Sequence, residues 1–460
     1  MRARGAVGAA VAAGFLLAGA AGAAELRVAP AGPYRSIGAA VEAARPGDTV
    51  RVAAGLYRER VVIDRPLALL GEPGAVVDGG GEGTVVHVAA PDVRLEGLVL
   101  RASGRSLDRD DSAVLVTGPR AVVRGNVLEE VLHGVYLRGA GGATVARNVI
   151  RGGEARSLST RGDGVRIWNA SGNVVADNDI RDVRDGIYVQ AADDNAIERN
   201  AVRGSRYGLH YMYAGRNAFV GNRFEENQVG ASVMMSRGIT LEANTFARNA
   251  GYVGYGLLLQ DAKDVVVEGN RFVGNATGIF MDLAIGGRVV GNLVTGHEVG
   301  IHLYPSSEDN VVAGNLFASN VADVHTGRGG AANRFADDRG GNYWSGAAVY
   351  DFDGDGFGDA PHRTGSLVTH LAEAYPQMRL FLFSPAVRAL DLAERAVPVF
   401  RVPEAVDPRP LVRPPLVAAE APIPAREAAG GRGLAAVGAL MLAVGGGGLA
   451  VGVRRRGRRR

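Results

Sequence analysis

A glycine that recurs at an almost constant spacing restricts the fold of this chain more than any other feature of its sequence. Most successive copies stand about 22 residues apart, a period that is typical of a solenoid in which each repeat forms one coil. The intervals after Gly134 and Gly230 are longer, which indicates loop insertions in those coils. The copies are Gly134, Gly164, Gly186, Gly208, Gly230, Gly256, Gly278 and Gly300.

Apolar residues occupy the first and third positions after the repeat glycine in nearly every copy, as Leu257 and Leu259 do after Gly256. This alternation predicts a strand whose odd positions point into a core. Two further apolar positions recur later in each repeat, for example Val267 and Phe272. Each coil is therefore predicted to contribute about three short strands to one shared core.

Asparagine stands at one position of seven successive coils, between the two later apolar positions. Asparagine tolerates the left-handed backbone conformation of a turn, and stacked copies can hydrogen-bond along the axis, so we interpret this column as structural. Together with the short strands it predicts an all-β fold, a right-handed single-stranded parallel β-helix. The asparagines are Asn148, Asn178, Asn200, Asn222, Asn244, Asn270 and Asn292.

The N-terminal part of the body fits the same fold. Ser36 to Ala44 is predicted to form a short helix, and the segment PGDTV that follows is predicted to begin a strand. Such a helix would cover the open end of the core, as the terminal element of a solenoid must. This combination resembles the pectin-lyase-like β-helix superfamily.

Both ends of the chain carry signals for export and anchoring. Arg2 and Arg4 precede an uncharged stretch and a small-residue pattern, which is typical of a secretory signal peptide. Twenty uncharged residues near the C-terminus precede six arginines, as in a membrane anchor with a cytoplasmic tail. The predicted segments are 1–24 signal peptide, 25–345 β-helix, 346–384 Asp/Gly-rich loop and cap, 385–397 helix, 398–433 Pro-rich linker, 434–453 anchor and 454–460 cytoplasmic Arg tail.

The charge and cysteine content limit the functional classes. Without the six tail arginines and the two signal arginines, the formal charge of +3 becomes −5, so the exported body is mildly acidic and no nucleic-acid partner is expected. The chain has no cysteine, hence no disulfides, although export would place it in the periplasm.

The even positions after the glycine are predicted to face outward, and one pair of coils places soft metal ligands there. His210 and Met212 share this face, and Met234 stands one coil further on in the same column as Met212. Met235 is a fourth candidate ligand, at a position where the strand is expected to turn. Thioether and imidazole ligands without thiolate favour copper, particularly Cu(I).

Two other interpretations of this face remain open. Outward aromatic residues such as Trp168 and Tyr188 are compatible with a surface that stacks on sugar rings, in a polysaccharide-binding or polysaccharide-cleaving protein. The face is also compatible with a purely structural docking platform. The sequence shows no convincing pair of outward carboxylates with a base, so an enzyme is not predicted.

A second motif lies after the last coil, in the segment DFDGDGFGD. Asp351, Asp353, Asp355 and Asp359 stand at positions 1, 3, 5 and 9 of an EF-hand-like loop, which predicts a calcium site. The twelfth position holds His362 instead of the usual glutamate, so a hairpin that binds nothing is an equal alternative.

The segment from Ser384 onward is predicted to form a helix after a Ser-Pro start. Its apolar residues recur at helical spacing and form one face for packing on the fold or for docking a partner. The residues predicted to make this contact are Val387, Leu390 and Val397.

Several segments in this order resemble the NosD family, the periplasmic accessory proteins of nitrous oxide reductase maturation. The resemblance spans about residues 30–415 and is most specific in YGLHYMYAGRN, GASVMMSRGITLEANTF and GNYWSGAAVYDFDGDGFGDAPHR. It implies a non-enzymatic role in assembling the copper-sulfide centre of the reductase. It also implies as partners the apo-reductase, the ATPase and membrane subunits of an ABC transporter, and a copper chaperone lipoprotein.

Overall fold

The computed structural model describes residues 23–153, 157–251, 253–326, 332–365, 375–381, 384–396 and 405–415. The predicted right-handed parallel β-helix is confirmed: three parallel sheets run along the axis, and each coil adds one strand to each sheet. The coil-to-coil steps match the repeat, since Ile187 pairs with Leu209, and Leu209 pairs with Ala231.

Sheet I has 13 strands within the described residues. They are Glu25–Val28, Thr49–Val52, Ala68–Gly71, Arg94–Glu96, Val122–Arg124, Thr144–Ala146, Val174–Ala176, Ala196–Glu198, Ala218–Val220, Thr240–Glu242, Val266–Glu268, Arg288–Val290 and Val311–Ala313.

Sheet II carries the predicted copper ligands and has 12 strands in the part of the chain that the structure describes. They are Val61–Ile63, Val86–Val88, Ser112–Val116, His133–Arg138, Val165–Trp168, Asp185–Gln190, Tyr207–Met212, Val229–Arg237, Tyr255–Lys263, Thr277–Asp282, Val299–Leu303 and Ala322–His325.

Sheet III, over the same described ranges, has 13 strands. They are Gly55–Arg58, Ala75–Asp78, Val99–Arg101, Val127–Val131, Val149–Gly152, Asp179–Arg181, Ala201–Arg203, Arg223–Glu225, Thr245–Ala247, Arg271–Val273, Leu293–Thr295, Leu316–Ala318 and Tyr343–Trp344.

The core fills the space between the three sheets. Residues at the first and third positions after the repeat glycine, such as Leu209 and Tyr211, are fully buried, as the alternation predicts. Phe224, Phe246 and Phe272 stack in successive coils with ring centroids 5.5 and 4.9 Å apart. Because each coil places the same kind of side chain above its neighbour, the core is continuous along the axis.

The asparagine column forms a hydrogen-bonded ladder, as predicted. The side-chain oxygen of Asn222 accepts from both the backbone N–H and the Nδ2 of Asn200, at 3.0 Å each. Asn200 Nδ2 also donates to the carbonyl of Val175 at 2.8 Å. Asn126 and Asn342 extend the ladder beyond the predicted copies.

Two further ladders were not predicted from the sequence. They occupy other corners of the coil and use the same bonding pattern. Their members are Asn227, Asn249, Asn275 and His297 in one, and Asn173, Asn195 and Asn217 in the other.

The predicted N-terminal helix is present as Ile37–Ala43, with Ser36 as its N-cap. The Ser36 hydroxyl and the carboxylate of Glu59 accept hydrogen bonds from the N–H groups of the first turn. Ile37, Ala40 and Val41 are buried, so the helix covers the open end of the core.

Part of the segment predicted as the Pro-rich linker 398–433 is not a free connection, because residues 405–415 pack on the end of the β-helix. Val406–Asp407 forms an antiparallel pair with His362–Arg363. The buried carboxylate of Asp407 accepts from the backbone N–H of Asn342 at 2.7 Å and from Trp344 Nε1 at 2.9 Å. It takes the place that the next asparagine oxygen would have in the ladder. Prolines exclude a central strand, but a two-residue edge strand is compatible with them.

The predicted C-terminal helix is Pro385–Ala396. Val387 is buried, and Val387 and Leu390 pack with Val321 and Met378. Of the two roles expected for this face, packing on the fold is the one that these two side chains show. Val397 lies outside the described residues.

Several predicted segments fall where the structure gives no description. The signal peptide up to residue 22, most of the linker, the anchor 434–453 and the arginine tail all lie outside the described residues. Within the described ranges, no helix is long and apolar enough to cross a membrane.

Candidate metal site on the outward face of sheet II

His210, Met212 and Met234 lie on one face of sheet II, as predicted. Their strands pair in parallel register, with Tyr188 beside His210, and Met212 beside Met234. Neighbouring strands are about 4.8 Å apart, and side chains two residues apart point to the same side. These three side chains are half-buried, so they are shielded but not sealed from solvent.

A buried carboxylate orients His210. Its Nδ1 lies 2.9 Å from Oδ2 of Asp185, which also accepts from Arg206 Nη2 at 2.7 Å. Burial raises the pKa of Asp185, but the hydrogen bonds from His210 and Arg206 outweigh it and hold the pKa below its usual value. An ionised Asp185 requires a proton on Nδ1, which leaves the Nε2 lone pair of His210 for a metal. Metal-binding histidines commonly have this arrangement.

Two tyrosines enclose the His210 ring. The ring centroids of Tyr188 and Tyr207 lie 5.0 and 4.7 Å from it. The Tyr188 hydroxyl also contacts Met212 Sδ at 3.9 Å and Gln190 Oε1 at 2.5 Å. Tyr188 therefore connects the imidazole and the first thioether, and it limits the rotamers of both.

Met235 lies at a bend rather than on the flat face. Its φ is +48°, and the equivalent Tyr213 and Asp261 in neighbouring coils have φ values of +52° and +48°. The expected turn at this position is thus confirmed, and it takes the backbone away from the column that Met212 and Met234 share.

Asp185 could not be assigned to this face from the alternating pattern. A Cβ added to Gly208 would meet the carbonyl of Gly230 at 2.4 Å and the ring of Phe224 at 2.8 Å, so the repeat glycine faces the core. The next residue, Leu209, also faces the core. The alternation is therefore interrupted at the glycine, and the residue before it, Asp185 in the preceding coil, turns outward beside His210. The recurring Asp-Gly pairs at 163–164 and 185–186 were the available signal.

Two further residues of the predicted outward columns are buried. Tyr136 and Ser232 have no exposed surface, although both stand two positions after a repeat glycine. Around Tyr136, Asp110 of the preceding coil and Arg166 of the next coil cover the strand. Position in the repeat therefore predicts direction but not exposure.

The Asp-rich loop brings together three of its four predicted ligands. Carboxylate oxygens of Asp351, Asp353 and Asp359 lie within 4.8 Å of one another. Asp355 does not join them, because it forms an ion pair with Arg409 at 3.2 Å. His362 lies in the edge strand, with its ring 4.9 Å from that of Trp344.

Comparison with known protein families gives two matches to this chain. The family described as "Periplasmic copper-binding protein (NosD)" matches residues 151–348, and a family of unknown function matches residues 22–234. Two sequence relatives are named probable ABC transporter binding protein NosD. The Pseudomonas aeruginosa relative is 43% identical over 79% of this chain and 88% of its own length, and that of Stutzerimonas stutzeri is 39% identical over 79% and 87%.

Solved structures show the fold alone. A mannuronan C-5 epimerase module from Azotobacter vinelandii matches with a TM-score of 0.50 and 15% identity, covering 65% of this chain and 93% of its own. A family 28 exopolygalacturonase from Yersinia enterocolitica matches with a TM-score of 0.50 and 12% identity, covering 66% and 77%. Given the identity and coverage of its sequence relatives, this chain belongs to the NosD family of periplasmic copper-binding proteins.

Proposed function

We propose that this protein binds Cu(I) at His210, Met212 and Met234 and passes it on during assembly of the copper-sulfide centre of nitrous oxide reductase. The observation that carries the proposal is the oriented imidazole of His210 beside two thioethers in register on adjacent coils. Imidazole and thioether ligands suit Cu(I), and carboxylate-rich sites suit harder cations.

The site is also suited to release of the ion. Two thioethers and one imidazole leave Cu(I) with three neutral ligands on a half-buried face, where an incoming ligand from a partner can approach. A cysteine site would bind copper far more firmly, but the chain has no cysteine. The proposed role is therefore transfer rather than storage, and no catalytic activity is proposed.

The proposed partners follow from the family. The relatives carry the name of ABC transporter binding proteins. We assign to this chain the ATPase and membrane subunits of such a transporter, a copper chaperone lipoprotein as the donor, and the apo-reductase as the acceptor. The segment 434–453 would hold the protein at the inner membrane beside the transporter.

Copper binding is tested by anaerobic titration of the exported protein with Cu(I) in competition with a chromogenic chelator. The Met212→Ala, Met234→Ala double variant is expected to lose one Cu(I) per chain, and His210→Asn is expected to weaken binding by at least about tenfold. Met281→Leu is the matched control, because Met281 is fully buried in the core. Unchanged stoichiometry and affinity in the double variant would exclude this site.

Transfer needs a separate test. Copper-loaded protein is mixed with apo-reductase, with and without membranes that hold the transporter, and copper in the reductase is measured after separation. We expect loading to depend on His210 and Met212. Equal loading by the His210→Asn variant would contradict the proposed route.

The three clustered carboxylates support a calcium site that orders the Asp-rich loop. Calcium is expected to raise the unfolding temperature by about 1–3 °C, which corresponds to roughly 1–2.5 kcal/mol in a chain of this size. Asp351→Asn should remove the effect, whereas Asp355→Asn should preserve it because Asp355 pairs with Arg409. An equal calcium response in both variants contradicts the assignment.

A further inference from the structure

Four buried polar atoms without a hydrogen-bond partner among the described residues lie on the outward side of sheet II, two to three coils before His210. They belong to His133, Tyr136, Asp163 and Arg166, here called the His133 cluster. The atoms are His133 Nε2, the Tyr136 hydroxyl, Asp163 Oδ2 and Arg166 Nε. Buried polar groups are nearly always hydrogen-bonded, so a group of four such atoms requires an explanation.

The protonation of His133 follows from its contacts. The backbone N–H of Asp163 donates to His133 Nδ1 at 2.9 Å, so the proton of the neutral ring is on Nε2. The nearest carboxylate oxygen, Oδ1 of Asp110, is 3.9 Å from Nε2, which is too far for a hydrogen bond. Burial lowers the pKa of His133 to about 3, so the ring stays neutral. Nε2–H is therefore a donor without an acceptor.

The cluster holds unused donors beside a single unused carboxylate oxygen. The donors are His133 Nε2–H, Arg166 Nε–H and the Tyr136 hydroxyl, which can also accept, and the carboxylate oxygen belongs to Asp163. Burial and the nearby Asp185 raise the pKa of Asp163 to about 6. An oxyanion would accept from these donors, and arginine binds carboxylates well.

The Arg166 guanidinium is held in place by aromatic rings. It lies 5.1 Å from the Tyr136 ring centroid and 5.2 Å from that of Tyr188. Its Nη1 is 3.5 Å from both Asp110 Oδ1 and Asp163 Oδ2, longer than a direct charge-assisted hydrogen bond. Asp110 and Arg166 keep 22% and 19% of their side chains exposed, so this loose contact is where the cluster meets solvent.

Next to this contact is an exposed aromatic surface. Trp168 is 41% exposed and stands two residues after Arg166 on the same face. Arg138 pairs with Trp168 in the sheet register and is exposed as well. The indole ring offers a flat apolar surface on which a ring can stack, and the two arginines supply positive charge. A ligand that contains both a ring and a negative charge would use both features.

We propose that this part of sheet II binds the uronic acid unit of an acidic saccharide, with the sugar ring on Trp168 and the carboxylate on Arg138 and Arg166. Separation of the Asp110–Arg166 contact admits the carboxylate to the donors of His133 and Tyr136. The site is about 10 Å from Met212, two coils along the same face, and it uses none of the copper ligands.

The chain's two tryptophans allow a direct test, because Trp344 is buried and Trp168 is exposed. Quenching of tryptophan fluorescence by acrylamide is measured on metal-free protein with and without oligogalacturonate. We expect the oligosaccharide to protect the exposed tryptophan, and Trp168→Phe to abolish the protection. Arg166→Met and Tyr136→Phe should each weaken binding by about tenfold. Arg216→Met, an exposed arginine paired with Asp193 and Asp194, is the matched control.

Three results would overturn the proposal: no protection at millimolar oligogalacturonate, equal protection by a neutral cello-oligosaccharide, or unchanged affinity of both Arg166→Met and Tyr136→Phe. The last result would mean that the unpaired polar atoms of the His133 cluster take no part in ligand binding. Because the test uses metal-free protein, its outcome is independent of copper binding.

Discussion

The asparagine ladder and the His133 cluster both consist of buried polar side chains from successive coils. The ladder side chains are hydrogen-bonded, whereas the cluster contains buried atoms without a hydrogen-bond partner among the described residues. In the ladder, Asn200 and Asn222 each bond to the coil before and the coil after. In the cluster, four buried atoms have no such partner within the described chain. A polar group that is fully bonded stabilises a fold, whereas one that is buried and unbonded destabilises it. The ladder is therefore structural, and the cluster is where a ligand is expected.

Breaking the ladder should have the largest effect. Asn222→Ala removes the acceptor for two donors of Asn200, and it removes the donors to the carbonyl of Ile197 and to the side-chain oxygen of Asn244. At about 1 kcal/mol for each lost bond, we expect the free energy of unfolding to fall by about 4 kcal/mol in urea titrations followed by circular dichroism. Gln228→Ala, which removes an exposed amide, should change it by less than about 0.5 kcal/mol. A loss below about 1 kcal/mol in Asn222→Ala would remove the distinction between ladder and cluster.

A histidine inside a ladder should make stability depend on pH. Burial lowers the pKa of His297 to about 4 from its usual 6.5, so the folded chain binds fewer protons than the unfolded chain between these values. The contribution of His297 is complete above pH 6.5 and is lost as the pH falls towards 4, by about 3 kcal/mol.

His133 acts in the same direction, and Asp163, whose pKa is raised to about 6, acts in the opposite direction between pH 3.8 and 6. His297→Asn restores the ladder residue and should remove the His297 share of the slope. The denaturant midpoint of unfolding, measured from pH 7 to 4 for the unaltered protein and for His297→Asn, gives the size of that share. Identical pH profiles would mean that His297 does not titrate in this range.

Asp185 should determine how well His210 binds copper. Asp185→Asn keeps the shape but removes the charge that fixes the His210 tautomer, so we expect Cu(I) affinity to fall by about 10–100-fold with unchanged stoichiometry. Competition with a chelator measures the affinity, and circular dichroism confirms that the variant is folded. Asp193→Asn, at an exposed ion pair with Arg216, should bind copper normally. Equal affinities of the two variants would contradict the role of Asp185.

Two buried tyrosines on sheet II give the smallest and sharpest comparison. The Tyr136 hydroxyl has no partner among the described residues, whereas the Tyr211 hydroxyl accepts from Asn217 Nδ2 at 2.5 Å. Tyr136→Phe should raise the free energy of unfolding by about 1 kcal/mol, and Tyr211→Phe should lower it by about 1 kcal/mol. Denaturant unfolding of ligand-free protein measures both, and effects of the same sign would show that the cluster is fully bonded in solution.

The repeat made the fold and half of the candidate site predictable. Inward and outward positions follow from strand geometry, so His210, Met212 and Met234 could be placed on one face from their spacing alone. The repeat did not predict Asp185, because the alternation is interrupted at the glycine that faces the core. It also did not predict that Asp407 would end the ladder, since Asp407 lies 65 residues after Asn342 in a proline-rich segment.

The sequence by itself determined the coil, its core and its main ladder, because a nearly fixed period places each side chain beside its equivalent in the next coil. Only the tertiary structure decided which outward residues are buried, which carboxylate orients His210, and where polar atoms are left without partners. Those features depend on loops that differ from coil to coil and on contacts between residues far apart in the chain. A repeating pattern carries no information about either.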